Sequence, residues 1–253
     1  MKSVLSLCDI KEATQEKLLR IRLAAAYRIF AEMKLDDLTY THLSARLPGV
    51  DWYLIYPFGQ LFEEVTASSL LKVSLDGEIL EGKESQYNRT GYVIHGNIYK
   101  AREDVNAVFH LHTIAGVAVS AMECGLLPIS QFSFHFYNRL AYHSYDALTL
   151  EHDRQGANLA HDLGNKKAMI LRNHGTLSCG ATVHEAFLYM YFLEQACKVQ
   201  VTALSSGQKV TIPPAKVCEQ AALDVREFEP DFGIRDFTAL LRKLDQKDQS
   251  YRD

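Results

Sequence analysis

Val108-Phe109-His110-Leu111-His112-Thr113 closes a short apolar run with two histidines one residue apart. Residues 105–111 read as a buried strand. Side chains on a strand alternate between faces, so His110 and His112 point the same way. Two neutral imidazoles on one sheet edge can ligate a divalent metal at ~2.0–2.1 Å. A second apolar run, 168–171, leads into Arg172-Asn173-His174-Gly175. Gly175 allows a sharp turn with φ > 0. A histidine on that turn, beside the His-x-His strand end, would complete a three-nitrogen site with one position left open. That is the pattern of catalytic rather than closed structural metal sites. The chain has ten histidines. Spacing alone therefore leaves a second reading standing, in which the three are separate, hydrogen-bonded core residues.

Outward from this pair, the hydrophobic pattern alternates between helix and strand. Residues 11–33 carry apolar side chains at 3–4 spacing and read as a long amphipathic helix, with Asp9 or Thr14 as candidate caps. Strands are expected at 44–47, 52–56, 70–74 and 78–80, the last two joined by Asp76-Gly77 as a hairpin. Helices are expected at 91–101, 114–122 and 150–163. A strand at 175–180 pairs with 168–171, and a long helix follows to about 204, capped by Thr182 with Glu185 as its N3 partner. The tail beyond Gly207 holds Pro213-Pro214 and an amphipathic helix near 237–244. With no internal repeat and no Ser/Gly linker, this is one α/β domain over 1–253, its core at about 10–205 and a C-terminal extension at 206–253.

Composition narrows the partners. The chain has 253 residues, 47% hydrophobic and 23% charged, with a net charge of -4. No basic run supplies the positive field that nucleic acid needs. No apolar stretch reaches the ~18 residues of a membrane span, and the first eight residues lack a secretory apolar segment. Five widely spaced cysteines without a CxxC pair fit reduced thiols in a cytoplasm.

Six ordered segments extend the pattern: Thr41-His42-Leu43-Ser44-Ala45-Arg46, Tyr56-Pro57-Phe58-Gly59, Val73-Ser74-Leu75-Asp76-Gly77, His95-Gly96-Asn97-Ile98-Tyr99, the His110 segment and Ile170-Leu171-Arg172-Asn173-His174-Gly175. In these the chain resembles the class II aldolase/adducin family. The resemblance implies a three-layer αβα fold around a mainly antiparallel, mixed sheet, and a homotetramer with active sites between subunits. It also implies a divalent metal, zinc first with manganese or iron as alternatives, held by His110, His112 and His174. Such a metal acts as a Lewis acid toward a carbonyl or hydroxyl oxygen.

The departures from the family pattern redirect the function. The sugar-phosphate aldolases carry an acid/base Glu four residues before the histidine matched by His95; that position is Gly91 here. Their phosphate loop has an amide where this chain has His42, and a serine where it has Phe58. An ordinary phosphorylated ketose is therefore a poor substrate expectation. His42 and Arg89 become candidate substrate contacts. The aromatic stretch 133–145 offers Tyr137 and His143 as proton carriers and Arg139 as a carboxylate clamp. Tyr137 lies near the region from which a neighbouring aldolase subunit contributes a tyrosine. His95 reads as a hydrogen-bonded core residue, and His152, His161 and His184 as exposed. The altered segments are similar to those of the adducin-like branch, whose adducin head domains lose the metal histidines. This chain keeps all three. The expected function is a metal-dependent lyase acting on a small oxo- or hydroxy-acid, by aldol cleavage, decarboxylation or dehydration. A non-haem iron oxygenase and a non-enzymatic, actin-binding adducin-like module are the alternatives.

Overall fold

The computed structural model describes residues 7–228 and 231–253. In chain order, α1 (Leu7–Glu32) is followed by β1 (His42–Ala45), β2 (Trp52–Ile55), β3 (Leu71–Ser74) and β4 (Ile79–Glu81). Then come α2 (Arg89–Ala101), β5 (Ala107–Leu111), α3 (Ile114–Ser120), α4 (Gln131–Phe134) and β6 (Leu140–His143). The chain ends with α5 (Ala157–Leu163), β7 (Ala168–Leu171), β8 (Gly175–Gly180), α6 (Val183–Ser205), α7 (Ala215–Glu227) and α8 (Ile234–Lys247). The strands form one sheet in the order β4-β3-β2-β1-β5-β8-β7-β6. Neighbours run antiparallel except β6 and β7, which are parallel. The expected mixed, mainly antiparallel α/β fold is observed.

Strand alternation builds the layers. Leu43 and Phe109 oppose each other across the β1–β5 ladder and serve one face. There, the Tyr27 hydroxyl of α1 donates to the Leu43 carbonyl. Phe30, also of α1, lies edge-on 5.9 Å from Phe109 and stacks on Phe187 of α6 at 4.7 Å. Each such fully buried ring contributes on the order of 2–3 kcal/mol. One residue along, His42 opposes His110, and His42 meets His95 of α2 on the other face. The sheet is thus sandwiched between α1 with α6 and α2 with its neighbours. Central strands are buried on both faces, so polar side chains on the α2 face must find partners within it.

The structure corrects several local expectations. Helix α1 begins at Leu7, so neither Asp9 nor Thr14 caps it. The helix expected at 150–163 starts as a wide π turn, His152–Gly156, before α5. Asn97 there donates to the His152 carbonyl, and Gln155 Oε1 accepts from the Leu150 and Glu151 amides. Side chains thus replace the bonds of a regular first turn. Thr182 caps α6 as expected, but Glu185 reaches the amide of Ala181 rather than that of the cap. Strand β6 and helix α7 had not been anticipated. Residues 140–143 carry no strand pattern of their own, and pairing with β7 makes them one. Phe237, Leu244 and Tyr251, from the C-terminal segment, are buried in the main core. Among the described residues Cys124, Cys179, Cys197 and Cys218 are free, and no helix is long and apolar enough to cross a membrane.

Candidate metal centre

Strand β5 delivers His110 at its end and His112 just beyond it, while the β7–β8 turn delivers His174. One ligand atom from each of the three lies within 4.8 Å of the others. The rings of His110 and His112 each sit 4.8 Å from that of His174. His110 Nδ1 is 2.9 Å from the Thr176 carbonyl oxygen. A carbonyl only accepts, so Nδ1 carries the proton and Nε2 a lone pair. His112 Nδ1 is 3.0 Å from Asp37 Oδ2, and the same logic gives its Nε2 a lone pair in the neutral ring. Yet the two Nε2 atoms are only 2.9 Å apart. Facing lone pairs repel unless a positive charge stands between them. The donor set therefore fits a cation, with His174 as third ligand.

The turn that presents His174 works differently from expectation. Gly175 does not hold a positive φ; Asn173 does, at 55°. Asparagine tolerates that left-handed conformation better than most residues. Gly175 is needed for space, because a Cβ there would lie 2.5 Å from the Leu111 carbonyl and 3.0 Å from the His112 ring. Its bareness lets β8 pack against the strand carrying the other two ligands. Ser120 of α3 holds the turn, its hydroxyl accepting from the His174 amide at 3.2 Å.

Burial holds the His110 and His174 rings neutral. His110 lies well below its ordinary pKa through desolvation and then through its histidine neighbours, and His174 is pushed down to about 4 by the same two causes. Behind them, His42 rests with its ring 5.1 Å from that of His110. His42 Nδ1 shares a 2.9 Å hydrogen bond with His95 Nε2. His95 Nδ1 bonds the Ser44 hydroxyl, which bonds Tyr99 Oη at 2.8 Å, and Arg46 lies over the Tyr99 ring at 4.7 Å. Alternate residues of the His42-Leu43-Ser44-Ala45-Arg46 segment thus supply one buried polar chain on the α2 face.

His95 is fully buried, and desolvation pushes its pKa from 6.5 down to about 3. Above pH 6.5 neither folded nor unfolded protein binds this proton. As the pH falls, the unfolded chain takes it up first, so stability is lost between pH 6.5 and about 3. In urea unfolding with a chelator present, wild type should lose about 3 kcal/mol more than His95→Gln between pH ~6.5 and ~4, the other buried histidines contributing equally to both. His95→Gln should flatten the slope. Equal slopes in both proteins would remove His95 as its source.

The family model described as "Class II Aldolase and Adducin N-terminal domain" matches residues 21–201. The chain belongs to this family. An aldolase II superfamily protein from Pseudomonas syringae superimposes with a TM-score of 0.87 at 43% identity, over 94% of this chain and 96% of that one. An L-fuculose 1-phosphate aldolase from Glaciozyma antarctica PI12 gives 0.83 at 27% identity, over 100% and 97%. Alpha-adducin of Rattus norvegicus is 39% identical over 246 residues, which cover 91% of this chain and 33% of that protein.

Within the class II aldolase and adducin family, the resemblance sets the acid/base position of the aldolases at Gly91 of this chain. Gly91 lies in the first turn of α2, and a Cβ there would meet His42 Cδ2 at 3.2 Å and Ile55 Cδ1 at 3.3 Å. The imidazole of His42 occupies the room that a longer side chain at 91 would need. Positions 42 and 91, both singled out in the sequence, thus share one space.

The other expected residues divide by strand end. His143 closes β6 beside His174 and bonds Asp162 Oδ2 through Nδ1 at 2.7 Å. Tyr145, two residues on and 54% exposed, has its ring 6.4 Å from His174. Arg89 is an exposed residue opening α2. Tyr137 and Arg139, by contrast, precede β6. Its four residues span about 13 Å, which separates both from the end where the histidines gather. Within one chain they do not reach the metal centre. Arg139 instead donates to the Ala222 carbonyl of α7 at 3.0 Å. His161 is exposed as expected, but His152 stacks on Tyr92 at 5.0 Å and His184 is half-buried.

Asp37 was missed. It sits in a polar loop 75 positions from its partner His112, with no motif to mark it. Removing its charge should weaken the hold on the ring. Asp37→Asn is expected to lower divalent-metal affinity about 10–100-fold, read by competition with a chelating dye. An unchanged affinity would place Asp37 outside the site.

Proposed function

We propose that this chain is a divalent-metal-dependent enzyme of the lyase type, acting on a small oxo- or hydroxy-acid rather than on an ordinary sugar phosphate. The observation that carries the reading is the 2.9 Å approach of two imidazole nitrogens whose rings already commit their other protons. His110, His112 and His174 would hold the ion, zinc first, with manganese or iron also compatible with nitrogen donors. When bound, the ion supplies Lewis-acid polarisation of a substrate carbonyl or hydroxyl oxygen. His42 walls the inner side of the site and excludes water there. His143 and Tyr145 lie near His174, where they would accept or return a proton. Arg89 would receive a substrate carboxylate, and Tyr137 would act only from a neighbouring copy in a tetramer. We assign the protein to the cytoplasm on its composition.

The test is metal analysis of protein expressed with metal supplementation, followed by a screen of 2-oxo and 3-hydroxy acids. Roughly one equivalent of a divalent ion and turnover of one such acid is the expected result; less than about a tenth of an equivalent would sink it. Similarity to alpha-adducin favours a second reading, a binding module without turnover. That reading expects a metal-free protein that co-sediments with actin filaments.

A further inference from the structure

A second cleft lies at the other end of strands β6 and β7. It has a volume of about 660 Å³ and is walled by Arg139, Lys166, Lys167 and Arg226, with Glu185 as the one carboxylate among the described residues that line it. The volume falls in the range of small-molecule sites. The four cations come from three separate places: the turn before β6, the loop before β7, and α7. Lys167 is balanced by Glu185 at 3.3 Å and Asp104 at 3.7 Å. The other three have no carboxylate partner among the described residues. Lys166 donates to the Asn138 carbonyl at 3.1 Å, and Arg139 to that of Ala222. Among the described residues, folding thus gathers three positive charges without a carboxylate partner, in a chain whose net charge is -4. Burial and then the Arg226 charge depress the Arg139 pKa. Like charges held together cost stability unless an anion joins them.

The geometry points to a binding site for a phosphorylated small molecule in this cleft, gripped by Arg139, Lys166 and Arg226. Guanidinium forks suit a phosphoryl group, which offers them paired oxygens. His135, Tyr189 and Phe232 line the same cleft and give the rest of the molecule an aromatic wall. Tyr189 and Phe232 lie 4.6 Å apart, and burial pushes His135 down to about 4, so it adds no charge near neutral pH. This site shares no residue with the three metal histidines, and it stands whether or not the lyase reading holds.

The experiment is isothermal titration calorimetry of the full chain at low salt with inorganic phosphate, AMP and citrate in separate arms. Saturable binding of phosphate or AMP is expected, tighter for AMP if the aromatic wall contributes and equal if the phosphoryl group alone is read. Arg226→Gln, on an exposed position of α7, and Lys166→Gln should each weaken it about 10-fold, and the pair about 100-fold. Without ligand, both variants should melt no lower than wild type, since each relieves like-charge repulsion, and metal content should be unchanged. Absence of saturable phosphate or AMP binding, binding of citrate alone, or affinity unchanged in the double variant would each overturn the proposal.

Discussion

His110→Ala is expected to strip the protein of its divalent ion. The ring would contribute one of three nitrogens, and its Nδ1–H already donates to the Thr176 carbonyl. Truncation removes a ligand and leaves that carbonyl without its donor. From the size of metal-site binding energies, one ligand of three should be worth on the order of 10³-fold in affinity. Metal content by elemental analysis should fall from near stoichiometric to background, and any acid turnover with it. The fold should survive, because the loss of one hydrogen bond and a small cavity costs about 1–3 kcal/mol. Full metal content in a folded His110→Ala protein would refute the three-histidine centre.

The second large effect concerns the exchange between positions 42 and 91. Gly91→Glu restores the aldolase residue type but drives a carboxylate toward His42 and Ile55, where even a Cβ has 3.2–3.3 Å of clearance. Overpacking and the burial of a poorly solvated charge should together cost about 3 kcal/mol or more. For a chain of this size that lowers the melting temperature by about 10 °C. His42→Asn, which returns the shorter amide of the family pattern, should recover at least half of that loss when combined with it. Strong positive coupling is expected because the two sites compete for one space. A Gly91→Glu protein that melts like wild type, or losses that simply add, would show that His42 is not what excludes the glutamate.

Both predictions depend on contacts of different legibility. The His-x-His pair follows from strand alternation alone, which is a local property of the backbone. Asn173-His174-Gly175 stands at a strand end that its apolar run announces, although the left-handed residue proved to be Asn173 and the glycine serves close packing. Residues 133–145 are the opposite case. Their aromatic and basic side chains suggested one catalytic cluster, yet β6 runs through the middle of them. It sends His143 toward the metal centre and leaves Tyr137 and Arg139 behind.

By itself the sequence determined the alternation of helix and strand, the three histidines of the candidate metal centre and the glycine at the position where the resemblance expects a carboxylate. Each of these is written in neighbouring residues or in ordered short motifs. Only the tertiary structure decided that Asp37 orients His112, that His42 fills the space beside Gly91, and that Arg139 joins Lys166 and Arg226 in a separate cleft. Those pairings join residues far apart in the chain. They arise from sheet order and from the parallel β6–β7 pairing, which are set by packing of the whole core rather than by any local preference.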